Sequence, residues 1–107
     1  MYRVTTPSFT FTLPIDTSAC KEIQVTYKQD KIDLIKHYQN GVLPSGMTLQ
    51  NKDVIIKLTQ EETKTFRPGY GIYVQLRVLT TDNEAYASQK FTILVDDVLN
   101  EEILADE

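Results

Sequence analysis

FTFTL, residues 9–13, places Phe9, Phe11 and Leu13 on one side of an extended chain and Thr10 and Thr12 on the other. Five residues cannot bury such a strip alone, so the rest of the chain must supply an opposing surface. The same period of two recurs in EIQVTYK (22–28), with Ile23, Val25 and Tyr27 inward. It recurs in DVIIKL (53–58), with Val54, Ile56 and Leu58 inward. GIYVQLRVL (71–79) is the most apolar stretch: Ile72, Val74, Leu76 and Val78 share a face, and the strand is expected to be central. AYASQKFTILV (85–95) returns with Phe91, Ile93 and Val95 in phase and Leu94 opposite.

Two stretches are less regular. In IDLIKHY (32–38), Ile32, Leu34 and Tyr38 lie on one face and Ile35 on the other, as in an edge or half-covered strand. Met47-Thr48-Leu49 reads as a short strand between the turn signals Asn40-Gly41, Pro44-Ser45-Gly46 and Gln50-Asn51-Lys52-Asp53. One segment breaks the rhythm. Thr59 and Glu62 have capping-box spacing, so residues 60–66 are expected to form a short helix with Phe66 tucked beneath it and Arg67-Pro68-Gly69 ending it. The expectation is an all-β chain of six to seven antiparallel strands with one short helix, a sandwich or a barrel. FTFTL then faces a second sheet about 10 Å away.

Composition agrees with a globular chain. The sequence has 107 residues, 41% apolar and 24% charged, enough for one core without staples. No apolar run approaches the roughly 18 residues that span a bilayer, and MYRVTTPSFT lacks the pattern of a signal peptide. Synthesis in the cytosol is therefore expected. Residues 96–107, DDVLNEEILADE, hold six acids and no base; without them 11 bases face 9 acids. The expected organisation is a sandwich domain over 1–95 and an acidic tail over 96–107. The helical spacing of Val98, Leu99, Ile103 and Leu104 suits a short helix or a docking peptide, and unpaired in solution it would fray. The lysines Lys28, Lys31, Lys36, Lys52, Lys57 and Lys64 are scattered, as on solvated strand faces that guard sheet edges. A nucleic-acid surface would need a concentrated basic face.

Residues that could carry chemistry are few. His37 is the lone histidine, and a triad through Ser8, Ser18, Ser45 or Ser88 would rest on it alone. Cys20 is the lone cysteine, read as a small packing residue. One Cys and one His are too few for zinc. Asp96-Asp97 and Glu101-Glu102 read as a solvated acidic tail, and Gly69-Tyr70-Gly71 as a turn lacking P-loop spacing. Glu61 and Glu62 suit a first helical turn, where the helix dipole favours acids. Tyr2, Tyr27, Tyr38, Tyr70, Tyr73 and Tyr86 are expected mainly in core or half-buried positions, although a glycan or protein surface could use them. No catalytic, cofactor-binding or metal residue is assigned, and no cofactor, nucleic acid or membrane is expected. A binding or assembly module is the default.

FTFTLPIDTSACKEIQVTYKQ, VIIKLTQEETKTFRPG and YVQLRVLTTDNEAYASQKFTILVDDVLNEEI together carry an early TFTLP, a V-T-Y-x-Q strand, an L-T-Q-E-E-T helix start, a V-Q-L-R-V-L strand and a final S-x-K-F strand. In these elements the chain resembles small proteins encoded in the structural-gene modules of phages and prophages of Firmicutes. It is also similar to the immunoglobulin-like N-terminal domain of lactococcal phage upper baseplate proteins, which implies an immunoglobulin-like antiparallel β-sandwich of six to seven strands with one short helix. The resemblance implies a non-enzymatic virion or virion-assembly component, in a baseplate or tail, whose partners are other virion proteins or further copies of itself. It supplies no functional residue. An adhesion or glycan-binding module is the alternative.

Overall fold

A computed structural model describes every residue except 89, 101 and 105–107. The chain is all-β with one short α-helix. It runs β1 (Ser8–Thr12), a 3-10 turn (Thr17–Ala19), β2 (Cys20–Gln29), β3 (Ile32–Gln39), β4 (Met47–Gln50), β5 (Asp53–Lys57), α1 (Gln60–Lys64), β6 (Gly71–Thr80), β7 (Ala85–Ala87) and β8 (Phe91–Leu94). Two antiparallel sheets result. One has the order β1-β5-β4; the other runs β3-β2-β6, with β7 and β8 sharing the far side of β6.

The alternation at residues 9–13 explains the layering. Ser8, Thr10 and Thr12 are exposed, whereas Phe9, Phe11 and Leu13 turn toward the other sheet. The Phe9 ring lies 5.7 Å from that of Tyr27 on β2, and the Phe11 ring 6.4 Å from that of Phe91 on β8. Behind them Ile23, Val25, Val54, Ile56, Leu58, Ile72 and Val74 are fully buried. Burying each such side chain contributes roughly 1.5–3 kcal/mol, which is why alternation rather than overall hydrophobicity sets the fold. β6 is central, with β2 on one flank and β7 and β8 on the other.

The hairpins turn where residue type allows. Asp30 joins β2 to β3 at φ 54°, and Asn51 joins β4 to β5 at φ 53°. Asp and Asn enter the left-handed region at lower cost than bulky residues. Gly46, at φ 83°, has a stricter role: a Cβ there would stand 2.3 Å from the Lys57 carbonyl oxygen.

α1 begins as its sequence predicts. Thr59 Oγ1 accepts from the Glu62 amide at 3.1 Å, and Glu62 Oε1 accepts from the Thr59 amide at 2.9 Å. The helix ends at Lys64, two residues short of the expected span, and Phe66 beneath it is fully buried. Arg3 closes that end: its Nε donates to the Phe66 carbonyl at 2.6 Å and Nη2 to that of Lys64 at 2.9 Å.

Two expectations change. AYASQKFTILV is not one strand but two, β7 and β8, so eight strands are present among the described residues. Ser88 makes the break. Its amide donates to the Leu76 carbonyl at 2.9 Å, but its hydroxyl accepts from the Leu76 amide at 3.0 Å, taking a place in the ladder that a main-chain carbonyl would hold. The described part of the tail is not helical. Asp96 and Asp97 lie beside the start of the chain: the Arg3 amide donates to the Asp96 carbonyl at 2.9 Å, and Arg3 Nη1 stands 3.2 Å from Asp97 Oδ1. Further on, Gln60 grips Leu104 through both main-chain groups, accepting at 2.8 Å and donating at 3.0 Å. Glu101 and residues 105–107 lie outside the described residues.

Candidate functional site

The sandwich is open along one side. Between β1 and the β6–β8 flank runs a groove of about 830 Å³. Phe11, Leu13 and Ile15 form one wall; Leu76, Val78 and Phe91 form the other. None of its lining residues is charged. Tyr86 and Phe91 stand at it with about half of their surface in solvent. The volume falls in the range that recognition sites use, and the lining suits apolar contact.

Among the described residues, the wall formed by β1 is also a free strand edge. The Leu13 amide donates to the Lys52 carbonyl at 2.8 Å, and the Leu58 amide donates to the Pro7 carbonyl at 3.0 Å. Antiparallel pairing alternates, so the odd residues 7–13 direct their main-chain groups at β5. Ser8, Thr10 and Thr12 therefore direct their amides and carbonyls away from β5, outward along the groove.

A second polar feature lies under α1, and it corrects the reading of Lys36. This lysine is buried, not solvated: its Nζ lies 2.6 Å from Glu62 Oε2 and 2.9 Å from the Ser45 carbonyl oxygen. Burial pushes the Glu62 carboxyl upward, but hydrogen bonds from Lys36 and Thr59 and the Lys36 charge outweigh it and hold the group below the usual carboxylate range. Tyr27 is fully buried, and its hydroxyl has no hydrogen-bond partner among the described residues. Burial, and then the Glu62 charge, push that phenol above the usual tyrosine range. An unsatisfied buried hydroxyl costs about 1–3 kcal/mol. Tyr27→Phe should therefore leave stability unchanged or raise it by about 1 kcal/mol in urea titration. A clear loss would show that the hydroxyl has a partner in solution.

The other candidates lie apart. His37 faces outward on β3, where Nε2 meets Glu22 Oε1 at 2.9 Å in a shallow depression shared with Gln24, Arg77 and Tyr86. None of Ser8, Ser18, Ser45 or Ser88 lines it. Ser18 donates its amide to Asp16 Oδ1 at 3.0 Å, and Ser45 serves Lys36 through its carbonyl. Cys20 is buried with Sγ 3.7 Å from the Asp16 carbonyl oxygen; burial, and then the Asp16 charge, push the thiol upward. Glu61 is exposed on the helix. Gly69 turns the chain at φ 82°, and Gly71 opens β6. Among the described residues no three His, Cys, Asp or Glu side chains gather as a metal site would require. Among the described residues no helix is long and apolar enough to cross a membrane.

The tyrosines divide differently from the expectation. Tyr27 is buried and Tyr38 half-buried, but Tyr2, Tyr70, Tyr73 and Tyr86 are each more than half exposed. Three of them surround β8. Tyr2 bridges to Asp96, the Tyr70 carbonyl accepts from the Val95 amide at 3.2 Å, and Tyr73 pairs with Thr92. Comparison with protein-family models, with curated proteins and with solved structures yields no match.

Proposed function

We propose that this chain is a non-enzymatic component of a phage or prophage virion, or of its assembly, and that it acts through protein–protein contacts. The observation that carries this reading is the uncharged apolar groove bounded by the free edge of β1. A sheet edge offers main-chain hydrogen bonds to an added strand, and an adjoining apolar groove offers side-chain pockets. The resemblance of TFTLP, LTQEET and VQLRVL to phage structural-module proteins supplies the setting.

The finer fold belongs to the same reading: an immunoglobulin-like sandwich. Strand order supports it. In that fold one sheet has the order A-B-E-D, and the other has C-F-G, extended by C′ in some members. The order β1-β5-β4 corresponds to B-E-D, and β3-β2-β6-β7 with β8 to C′-C-F-G. The position of strand A, beside β1, is the open edge.

Mass spectrometry of purified, induced virions tests the setting. The chain should be detected among the virion proteins or bind one of them. Absence from particles together with no binding to any virion protein would overturn it.

The second reading is a glycan-binding module, favoured by the exposed Tyr2, Tyr70 and Tyr73 around β8. Aromatic faces of this kind serve as contact platforms. It requires hits on a glycan array that disappear when these tyrosines become alanine.

A further inference from the structure

We propose that the open edge of β1 is filled by β1 of a second copy, the two strands running antiparallel about a twofold axis at Thr10. This deepens the protein–protein reading above by naming the partner of the same groove.

The first support is hydrogen-bond parity. Ser8, Thr10 and Thr12 direct their main-chain groups outward, as the Leu13–Lys52 and Leu58–Pro7 bonds require. Around an axis at Thr10, Ser8 faces the second copy's Thr12, and Thr10 faces its own equivalent. Every outward residue thus meets an outward residue, so amides and carbonyls pair along the full five-residue strand. An axis on Phe9 or Phe11 keeps that parity but slides the strands by two residues, so fewer residues of Ser8–Thr12 pair; an axis between two residues would set outward against inward residues and forfeit the bonds.

The second support is charge. Identical strands brought together place like residues near like, and facing charges would repel. Residues 4–15, VTTPSFTFTLPI, carry none, and the groove lining adds none. The edge strand of the other sheet, β3, carries the exposed Asp33. Charged residues on an edge are a common protection against association, and β1 lacks that protection.

The third support is what the pairing covers. A twofold axis perpendicular to the sheet keeps the faces in register. Phe9 and Phe11 of each copy continue the same apolar inner face, and the two grooves merge, with Tyr86 and Phe91 of both copies enclosed. The outer face presents Ser8, Thr10 and Thr12, whose hydroxyls pair well across strands. The nearby start of the chain is committed elsewhere: residues 1–3 lie beside 94–96, with the Asp96 amide donating to the Met1 carbonyl at 2.7 Å. The three-stranded sheet becomes six-stranded in the dimer.

Sedimentation equilibrium across a dilution series, with amide hydrogen exchange on the same samples, tests this. The full chain should reach twice its monomer mass at the concentrated end, and the Thr10 and Thr12 amides should be protected there and lose protection on dilution. Thr10→Pro removes an amide that the monomer does not use, at an edge where proline is tolerated. It should weaken the dimer about tenfold or more, because the loss counts twice across the axis. Thr10→Lys keeps every main-chain group but opposes two ammonium groups; it should weaken the dimer likewise, less so at high salt. If Thr10→Pro disturbs the fold by circular dichroism, Thr10→Lys decides alone. A chain that stays monomeric with exchanging β1 amides throughout would overturn the proposal. So would a dimer indifferent to Thr10→Lys. Neither result bears on detection in virions, so the two readings fail separately.

Discussion

Replacing Glu62 with alanine is expected to remove about 3 kcal/mol of folding stability. Two contacts depend on this carboxylate. It pairs with Lys36 at 2.6 Å, and it returns the capping-box bond to the Thr59 amide at 2.9 Å. It also sits where the Lys36 side chain keeps only 8% of its surface in water and Glu62 itself 21%. Removing it strands an ammonium group beneath α1 with only the Ser45 carbonyl as partner. An unpaired buried charge is costlier than the pair was beneficial, so the double change Lys36→Met with Glu62→Met should cost much less than the two single changes combined. Glu61→Ala, one residue earlier on the exposed face, should fall within about 0.5 kcal/mol of the parent. Urea titration of the five variants reads all of this.

The same carboxylate gives a pH dependence of definite sign. Its folded value lies below the ordinary 4.5. The unfolded chain therefore binds the proton more readily, and the contribution of Glu62 is complete above about 4.5 and lost as pH falls through the folded value. Stability followed from neutral to acid pH should drop below that point in the parent, and by less in the Lys36→Met, Glu62→Met double variant.

Phe66→Ala is expected to cost about 3–5 kcal/mol, a large share of the roughly 5–15 kcal/mol that holds a domain of this size together. The ring is fully buried, and it follows α1 directly, where the main chain is fixed by Arg3 Nε on its carbonyl at 2.6 Å. With the backbone held from that side, the surroundings cannot collapse fully into the space left. Phe91 is the comparison. It is also a phenylalanine of the inner face, but it stands at the groove with 48% of its surface exposed. Phe91→Ala should cost about 1–2 kcal/mol, in proportion to the smaller area it removes from water. Equal denaturation midpoints for the two variants would contradict the placement of the groove.

Local pattern was legible because its causes are local. The alternation in residues 9–13, 22–28, 53–58 and 71–79 names the buried faces, since a strand turns successive side chains to opposite sides. The spacing of Thr59 and Glu62 announces a helix start because both bonds close within one turn. Lys36 shows the limit. Ile32, Leu34 and Tyr38 share one face, and Lys36 lies in phase with them, so the strand's own period places it inward. Its residue type suggested water, and the partner that makes burial tolerable comes from a helix 26 positions later. The β7–β8 break turns on the Ser88 hydroxyl, which could take a ladder position only once Leu76 lay opposite. The groove was beyond sequence reading for the same reason: its walls come from β1, β6, β7 and β8, which no local pattern brings together.

The most direct test concerns the strand that opens the fold. Phe9 turns inward against Tyr27, and Thr10, its neighbour, turns outward. Phe9→Asp and Thr10→Asp place the same carboxylate one residue apart, so melting temperature compares the two faces with nothing else changed. Phe9→Asp should melt far below the parent, with Thr10→Asp close to it, both read at a concentration where the chain is monomeric. Equal melting temperatures, or the reverse order, would mean that β1 does not lay its phenylalanines against the second sheet.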